Sequence, residues 1–184
     1  MNNNNIIELL KQLRIAFIGL PDAGKSTLIS SLISYLHGKT ISPDTLMNEV
    51  HYSPGKDIYE NDDTRTIRAA KILCSFRDYE LMLIDCPGHL EYFDQIKQGL
   101  DMASIIVCLI DYNRQEESRD YCREIIKKAD TKGKRLITFY THAPYNYEDY
   151  FEANLLGKEL SLDYLLDRIE DLLINIISIQ KFPL

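Results

Sequence analysis

Eight consecutive residues, Gly19-Leu20-Pro21-Asp22-Ala23-Gly24-Lys25-Ser26, constrain this chain more than any other stretch, because they match G-x-x-x-x-G-K-[ST]. A β-type apolar run, 13–18 (LRIAFI), precedes them. The segment 25–36 follows, with apolar residues at 28, 29, 32, 33 and 36, which is a helical period. A strand that stops at a glycine and reopens as a helix turns this pattern into a mechanism. The backbone N–H groups of Asp22, Ala23, Gly24, Lys25, Ser26 and Thr27 are expected to converge on a β-phosphate, helped by the positive end of the helix. Lys25 would bridge β- and γ-phosphates as a point charge, and the Ser26 hydroxyl would hold Mg²⁺. The plainer alternative is a Gly-rich turn carrying a solvated lysine.

The remaining chain alternates in the same way. Segments 67–76 and 80–85 read as two strands around Arg77-Asp78. A Pro-Gly break at 87–88 precedes a helix expected over 90–102. Then come a buried strand at 104–110 (SIIVCLI), a polar-faced helix at 115–129 ending near Gly133, and a strand at 135–140. Ser161 is expected to N-cap a last helix with apolar residues at 162, 165, 166, 169, 172, 173, 176 and 177. Residues 40–66 turn polar, with Pro43, Pro54 and Gly55, and read as a long loop of the kind that is usually functional. Such alternation predicts an α/β fold of three layers: a mostly parallel sheet with one antiparallel edge strand, and helices on both faces. The 184 residues contain no linker and are expected to form one domain, 1–184. In such sheets ligands bind at the carboxyl ends of the strands, where every motif of this chain falls.

Charge narrows the function classes. The formal net charge is −7, which argues against direct nucleic-acid binding or an anionic membrane surface. A polyphosphate would need a local positive site, since the global field opposes it. Cys74, Cys86, Cys108 and Cys122 form no CxxC and no metal spacing, so they read as reduced, buried thiols. No run of 18 apolar residues and no signal peptide is present, and a soluble, cytoplasmic protein is expected.

A second anchor lies at Leu83-Ile84-Asp85-Cys86-Pro87-Gly88-His89. Asp85 ends a strand opposite the phosphate loop, within reach of a Mg²⁺ shell. Gly88 can bring its N–H against a γ-phosphate where a side chain would collide. Taken alone, Asp85 could be a strand-end cap and His89 a surface residue.

With this turn the sequence resembles the nucleotide domain of translation-factor GTPases, the group of elongation factors Tu and 1-alpha and of the GTPase subunit of sulfate adenylyltransferase. Asp85-Cys86-Pro87-Gly88-His89 is similar to the family's DxPGH, and Asp22-Ala23-Gly24-Lys25 to its DxGK. The segment Glu60-Asn61-Asp62-Asp63-Thr64-Arg65-Thr66-Ile67 is similar to E-R-x-x-G-I-T-I, with 19 positions between Thr66 and Asp85 as in the elongation factors. The resemblance implies a P-loop GTPase fold, Mg²⁺ held through Ser26, Thr66 and Asp85, and GTP or GDP as the nucleotide. It implies that Thr66 contacts Mg²⁺ and γ-phosphate, that Gly88 meets the γ-phosphate, and that His89 orients the attacking water.

The chain departs from the family in three places. Where N-K-x-D should follow the strand at 135–140, it reads Thr141-His142-Ala143-Pro144. Pro144 offers neither a carboxylate nor an N–H, so guanine selectivity is expected to be reduced. Thr141, His142 and Ala153 remain as candidates around the base, Ala153 because Glu152-Ala153-Asn154 stands where the family has its S-A-x loop. Arg65 replaces an apolar residue beside the catalytic histidine, and is either a solvated loop residue or a cis arginine aimed at the γ-phosphate. The β-barrel domains of translation factors are expected to be absent, which makes a stand-alone switch acting on an unidentified protein activator or effector the expectation. The leading reading is a Mg²⁺-dependent nucleoside triphosphatase, slow without its partner. Two alternatives stay open: a pseudo-GTPase that binds nucleotide without useful hydrolysis, and a small-molecule P-loop kinase, which has no use for the turn at 85–89.

Overall fold

Both faces of the first strand are covered from Ile15 to Ile18, which explains the four consecutive apolar residues there. The computed structural model describes residues 12–38, 69–76, 79–142 and 165–167. In it β1, Gln12–Ile18, buries Leu13, Ile15, Ala16, Phe17 and Ile18. A strand with helices on one side only would alternate; one between two layers does not. β1 pairs in parallel with β3, Tyr79–Asp85, bringing Phe17 beside Asp85, and with β4, Ile105–Asp111, bringing Ile18 beside Cys108. All seven residues of β4 are buried. β2, Ala70–Phe76, runs antiparallel to β3 from Ala70↔Asp85 to Phe76↔Tyr79, and β5, Arg135–Thr141, runs parallel to β4. The order is β2-β3-β1-β4-β5, so the single antiparallel strand lies at one edge. The expected mixed sheet is the one observed.

Among the described residues, three helices longer than one turn pack on it. α1, Lys25–His37, packs on β2 and β3; α2, Phe93–Met102, on β1; and α3, Gln115–Lys128, on β4. α3 buries Ser118, Tyr121, Cys122 and Ile125, an i, i+3, i+4, i+7 stripe. Glu116 and Glu117 open it and Lys127 and Lys128 close it, matching charge to the helix dipole at both ends. Each large side chain fully buried in this core, Phe17, Leu83 and Phe139 among them, contributes about 1.5–3 kcal/mol of transfer free energy.

Element ends differ from the sequence reading in small ways with local causes. The helix expected from residue 90 opens as a 3-10 turn, Leu90–Tyr92, in which the Tyr92 N–H donates to His89 O at 3.1 Å, and becomes α-helical at Phe93. β4 begins at Ile105, one residue past the expected start, and just ahead of it the Ser104 N–H and hydroxyl both donate to Arg14 O, at 2.9 and 3.3 Å. The final helix is described only at 165–167, where Leu165 and Leu166 are buried in the core. Ser161 and the rest of that stripe lie outside the described residues, as do the loop at 40–66 and the segment 143–164. The four cysteines are buried thiols, and burial pushes Cys74 up to about 11. Among the described residues no helix is long and apolar enough to cross a membrane.

Because β1, β3, β4 and β5 are mutually parallel, their carboxyl ends share one edge of the sheet. Gly19, Asp85, Asp111 and Thr141 therefore converge there.

Candidate functional site

The turn from β1 into α1 needs two left-handed residues, Asp22 at φ 60° and Gly24 at φ 83°. Glycine adopts this region freely and aspartate more readily than most residues, which explains both identities. The Ala23 N–H donates to Leu20 O at 3.2 Å and closes the loop. Among the described residues no side chain caps the start of α1, and no acidic residue lies in its first turn. Its leading N–H groups thus remain available to an anion, with the helix dipole favouring one.

Lys25 is only 7% exposed, and its Nζ donates to Gly19 O at 3.0 Å and Leu20 O at 2.9 Å. An ammonium has three donors, so one is left for a ligand. Burial lowers the Lys25 pKa below its ordinary value, with the Asp85 charge opposing. Beside it the Ser26 hydroxyl donates to Asp85 Oδ2 at 2.6 Å. Asp85 is buried, which raises its carboxyl above the usual range, while Lys25 and the Ser26 hydroxyl pull it back. Its second oxygen, Oδ1, is buried with no hydrogen-bond partner among the described residues. A buried unpaired carboxylate oxygen is costly, and a hydroxyl and a carboxylate side by side are the hard oxygen donors Mg²⁺ takes. The residues present fit that ion.

Gly88 lies against the phosphate loop. A Cβ there would stand 2.7 Å from Pro21 N, 2.9 Å from Pro21 Cα and 2.8 Å from Lys25 Nζ. Two of these neighbours are backbone and cannot swing aside. Gly88→Ala is therefore expected to push the two turns apart and destabilise the fold, since overpacking costs ~1–3 kcal/mol. Urea denaturation of wild type and variant checks this, and an unchanged midpoint would refute the close packing. The preceding carbonyl, Pro87 O, accepts from Tyr121 Oη of α3 at 3.5 Å. His89 follows, half-buried on extended backbone, with its ring edge-on to Tyr92 at 6.4 Å.

At the ends of β4 and β5 the structure holds a group that the sequence reading did not single out. Asp111 is buried and accepts from the Asn113 N–H at 3.0 Å, from Arg114 Nε at 2.9 Å and from His142 Nδ1 at 3.2 Å. Burial alone would raise its carboxyl, but these donors together hold it below the usual range. Arg114 reaches further, its Nη2 donating to Pro21 O at 2.9 Å. A signal was present in the sequence: Asp111 ends an apolar run just as Asp85 does. Thr141 is wholly buried, and its hydroxyl has no partner among the described residues. His142 adopts φ 59° with its side chain 42% exposed.

The structure thus brings Asp22 to Thr27, Asp85 and Gly88 together, with His89 adjoining, and joins Thr141 and His142 to them through Asp111 and Arg114. Thr66, Arg65, Pro144 and Ala153 lie outside the described residues.

Comparison with known proteins gives a consistent answer. A family profile described as "Elongation factor Tu GTP binding domain" matches residues 10–152. Elongation factor 1-alpha of Methanocaldococcus jannaschii is 31% identical over 171 residues, covering 83% of this chain and 40% of its own length. Elongation factor G 2 of Streptomyces coelicolor is 31% identical over 121 residues, covering 64% of this chain and 17% of its own. The chain therefore spans well under half the length of these curated relatives. Among solved structures, the FeoB G-domain from Methanococcus jannaschii superposes with a TM-score of 0.53 at 13% identity, over 89% of this chain and 98% of that one. That likeness is one of fold.

Proposed function

The chain belongs to the elongation factor Tu GTP-binding-domain family, and on that footing we propose that it binds GTP with Mg²⁺ and hydrolyses it slowly, as a switch acting on a protein partner. The observation that carries the reading is the Ser26–Asp85 pair with its unpartnered Oδ1, set beside a phosphate loop whose lysine keeps a donor in reserve. Within 1–184, taken as one nucleotide-binding unit, each residue then has a separable task.

Backbone N–H groups from Asp22 to Thr27 would bind the β-phosphate, and Lys25 would lie between β- and γ-phosphates. Ser26, Asp85 and, from the loop beyond the described residues, Thr66 would hold Mg²⁺. When bound, that ion neutralises charge shared by the β- and γ-phosphates. Gly88 would offer its N–H to the γ-phosphate, a contact that exists only in the triphosphate state. Segments 40–66 and 86–100 would respond to that contact and relax after hydrolysis, which is how a two-state nucleotide switch works. His89 would orient the attacking water. An effector would read the state of those segments.

Calorimetry of Lys25→Ala with GTP and GDP, with and without Mg²⁺, tests the premise. Loss of a charge-assisted phosphate contact is expected to cost about 1.5–3 kcal/mol or more, so affinity should drop at least tenfold while the circular dichroism spectrum stays unchanged. Near-wild-type affinity would sink the phosphate-loop assignment.

A further inference from the structure

We infer that Arg114 is a positioning residue for the phosphate loop, held by the buried carboxylate of Asp111 and fixing the orientation of the Pro21–Asp22 peptide. The inference rests on the reading of this site as a nucleotide site and assigns that site a residue outside every motif.

Three observations converge. First, the guanidinium bridges two elements: Nε donates to Asp111 Oδ2 at 2.9 Å and Nη2 donates to Pro21 O at 2.9 Å, across 93 positions of sequence. An exposed i, i+3 ion pair by itself holds little. Here the carboxylate side chain is only 6% exposed, and its other oxygen takes the Asn113 N–H and His142 Nδ1, so the anchor is rigid. Second, the peptide after Pro21 is trans and planar, so a carbonyl fixed toward Arg114 sends the Asp22 N–H to the opposite side. That N–H is the first of the series expected to meet the β-phosphate. Third, Asp22 is a non-glycine residue at φ 60°, a conformation that needs outside support. The Asp22 N–H of this peptide faces the expected phosphate, so the Pro21 carbonyl is the polar handle by which the peptide is gripped.

Arginine suits the task because its donors lie in one rigid plane and reach two acceptors at once. Lysine, a point charge on a flexible stem, cannot hold both in register. His142, sharing the same carboxylate, also ties the end of β5 to this grip.

Release of a fluorescent GDP in stopped flow tests the inference, on wild type, Arg114→Ala, Arg114→Lys, Asp111→Asn and the Arg114→Ala/Asp111→Asn double variant. Hydrogen exchange of the loop 19–24 in the GDP complexes is measured alongside. Arg114→Ala is expected to release GDP about tenfold faster or more, the usual consequence of losing one charge-assisted bond. GDP and GTP should lose affinity by the same factor, since the β-phosphate is common to both, and exchange should accelerate at 19–24 but not in β4. Arg114→Lys should recover little of the loss. The double variant should be no worse than Arg114→Ala, because the two residues act through one contact. Wild-type release rates in Arg114→Ala would overturn the inference and leave the nucleotide reading standing. Faster release with equal acceleration of exchange in β4 would also overturn it, as a general loosening of the fold. A wild-type protein that binds neither nucleotide would remove the nucleotide reading, and this role with it.

Discussion

Replacing His89 with alanine should lower single-turnover GTP hydrolysis by about 10²-fold or more while affinity for GTP stays close to wild type. The split between rate and affinity follows from where the side chain sits. His89 follows directly on Gly88, the glycine that packs on Pro21 and Lys25 of the phosphate loop. It contributes nothing to the lysine and backbone contacts that would hold the phosphates. Its ring is edge-on to Tyr92 and half-buried, which limits its orientations without sealing it from water. A group so placed can align a water and ease its proton loss, an effect worth roughly 10²–10⁴ in rate. Rapid-quench measurement of one turnover decides the matter. Equal rates for wild type and His89→Ala would remove the catalytic role and favour a nucleotide-binding module that works without useful hydrolysis.

The second large effect concerns the base. Discrimination of GTP over ATP is expected to fall below about 10²-fold, with GTP still mildly preferred, where a site that bonds the guanine edge reaches 10⁴ or more. Pro144 supplies no carboxylate, and Asp111, at the end of β4, is already committed. Asp111 accepts from Asn113, Arg114 and His142, and turning it toward a base would strip all three. Thr141 is wholly buried, which leaves packing against the Thr141–His142 segment and backbone groups near Ala153 to prefer guanine. Competition of GTP, ATP, XTP and CTP against one labelled triphosphate measures the ratios. A GTP preference of several thousandfold would show that another residue replaces the missing aspartate, with Asp149 and Glu152 the first to mutate.

What could be read in the sequence was what short spacing encodes. The phosphate loop is eight adjacent residues whose conformation is set locally by glycines and a helix start, and Asp85-Cys86-Pro87-Gly88-His89 is equally contiguous. Strand positions followed from consecutive apolar residues, 15–18 in β1 and 105–110 in β4, which are covered on both faces. Arg114 could not be read this way. Its importance comes from a carbonyl 93 positions away, and no periodicity or motif links an arginine in a short turn to a proline in another. Asp111 carries the same signature as Asp85, a carboxylate that closes an apolar run at one edge of the sheet.

The place of β1 at the centre of the sheet bears on how the chain is made as well as on what it binds. β1 is synthesised before either neighbour, and both partners, β3 and β4, are encoded after an interval reaching to Asp111. At ribosomal speeds of about 5–20 residues per second, its apolar run waits for roughly 5–20 seconds before both flanks can close. The β2–β3 hairpin, adjacent in sequence, can form earlier and offer β1 one edge. Until β4 arrives, a strand built to be hidden on both sides is open on one of them. A nascent chain of this design therefore keeps one edge of an apolar strand unpaired for the length of that interval.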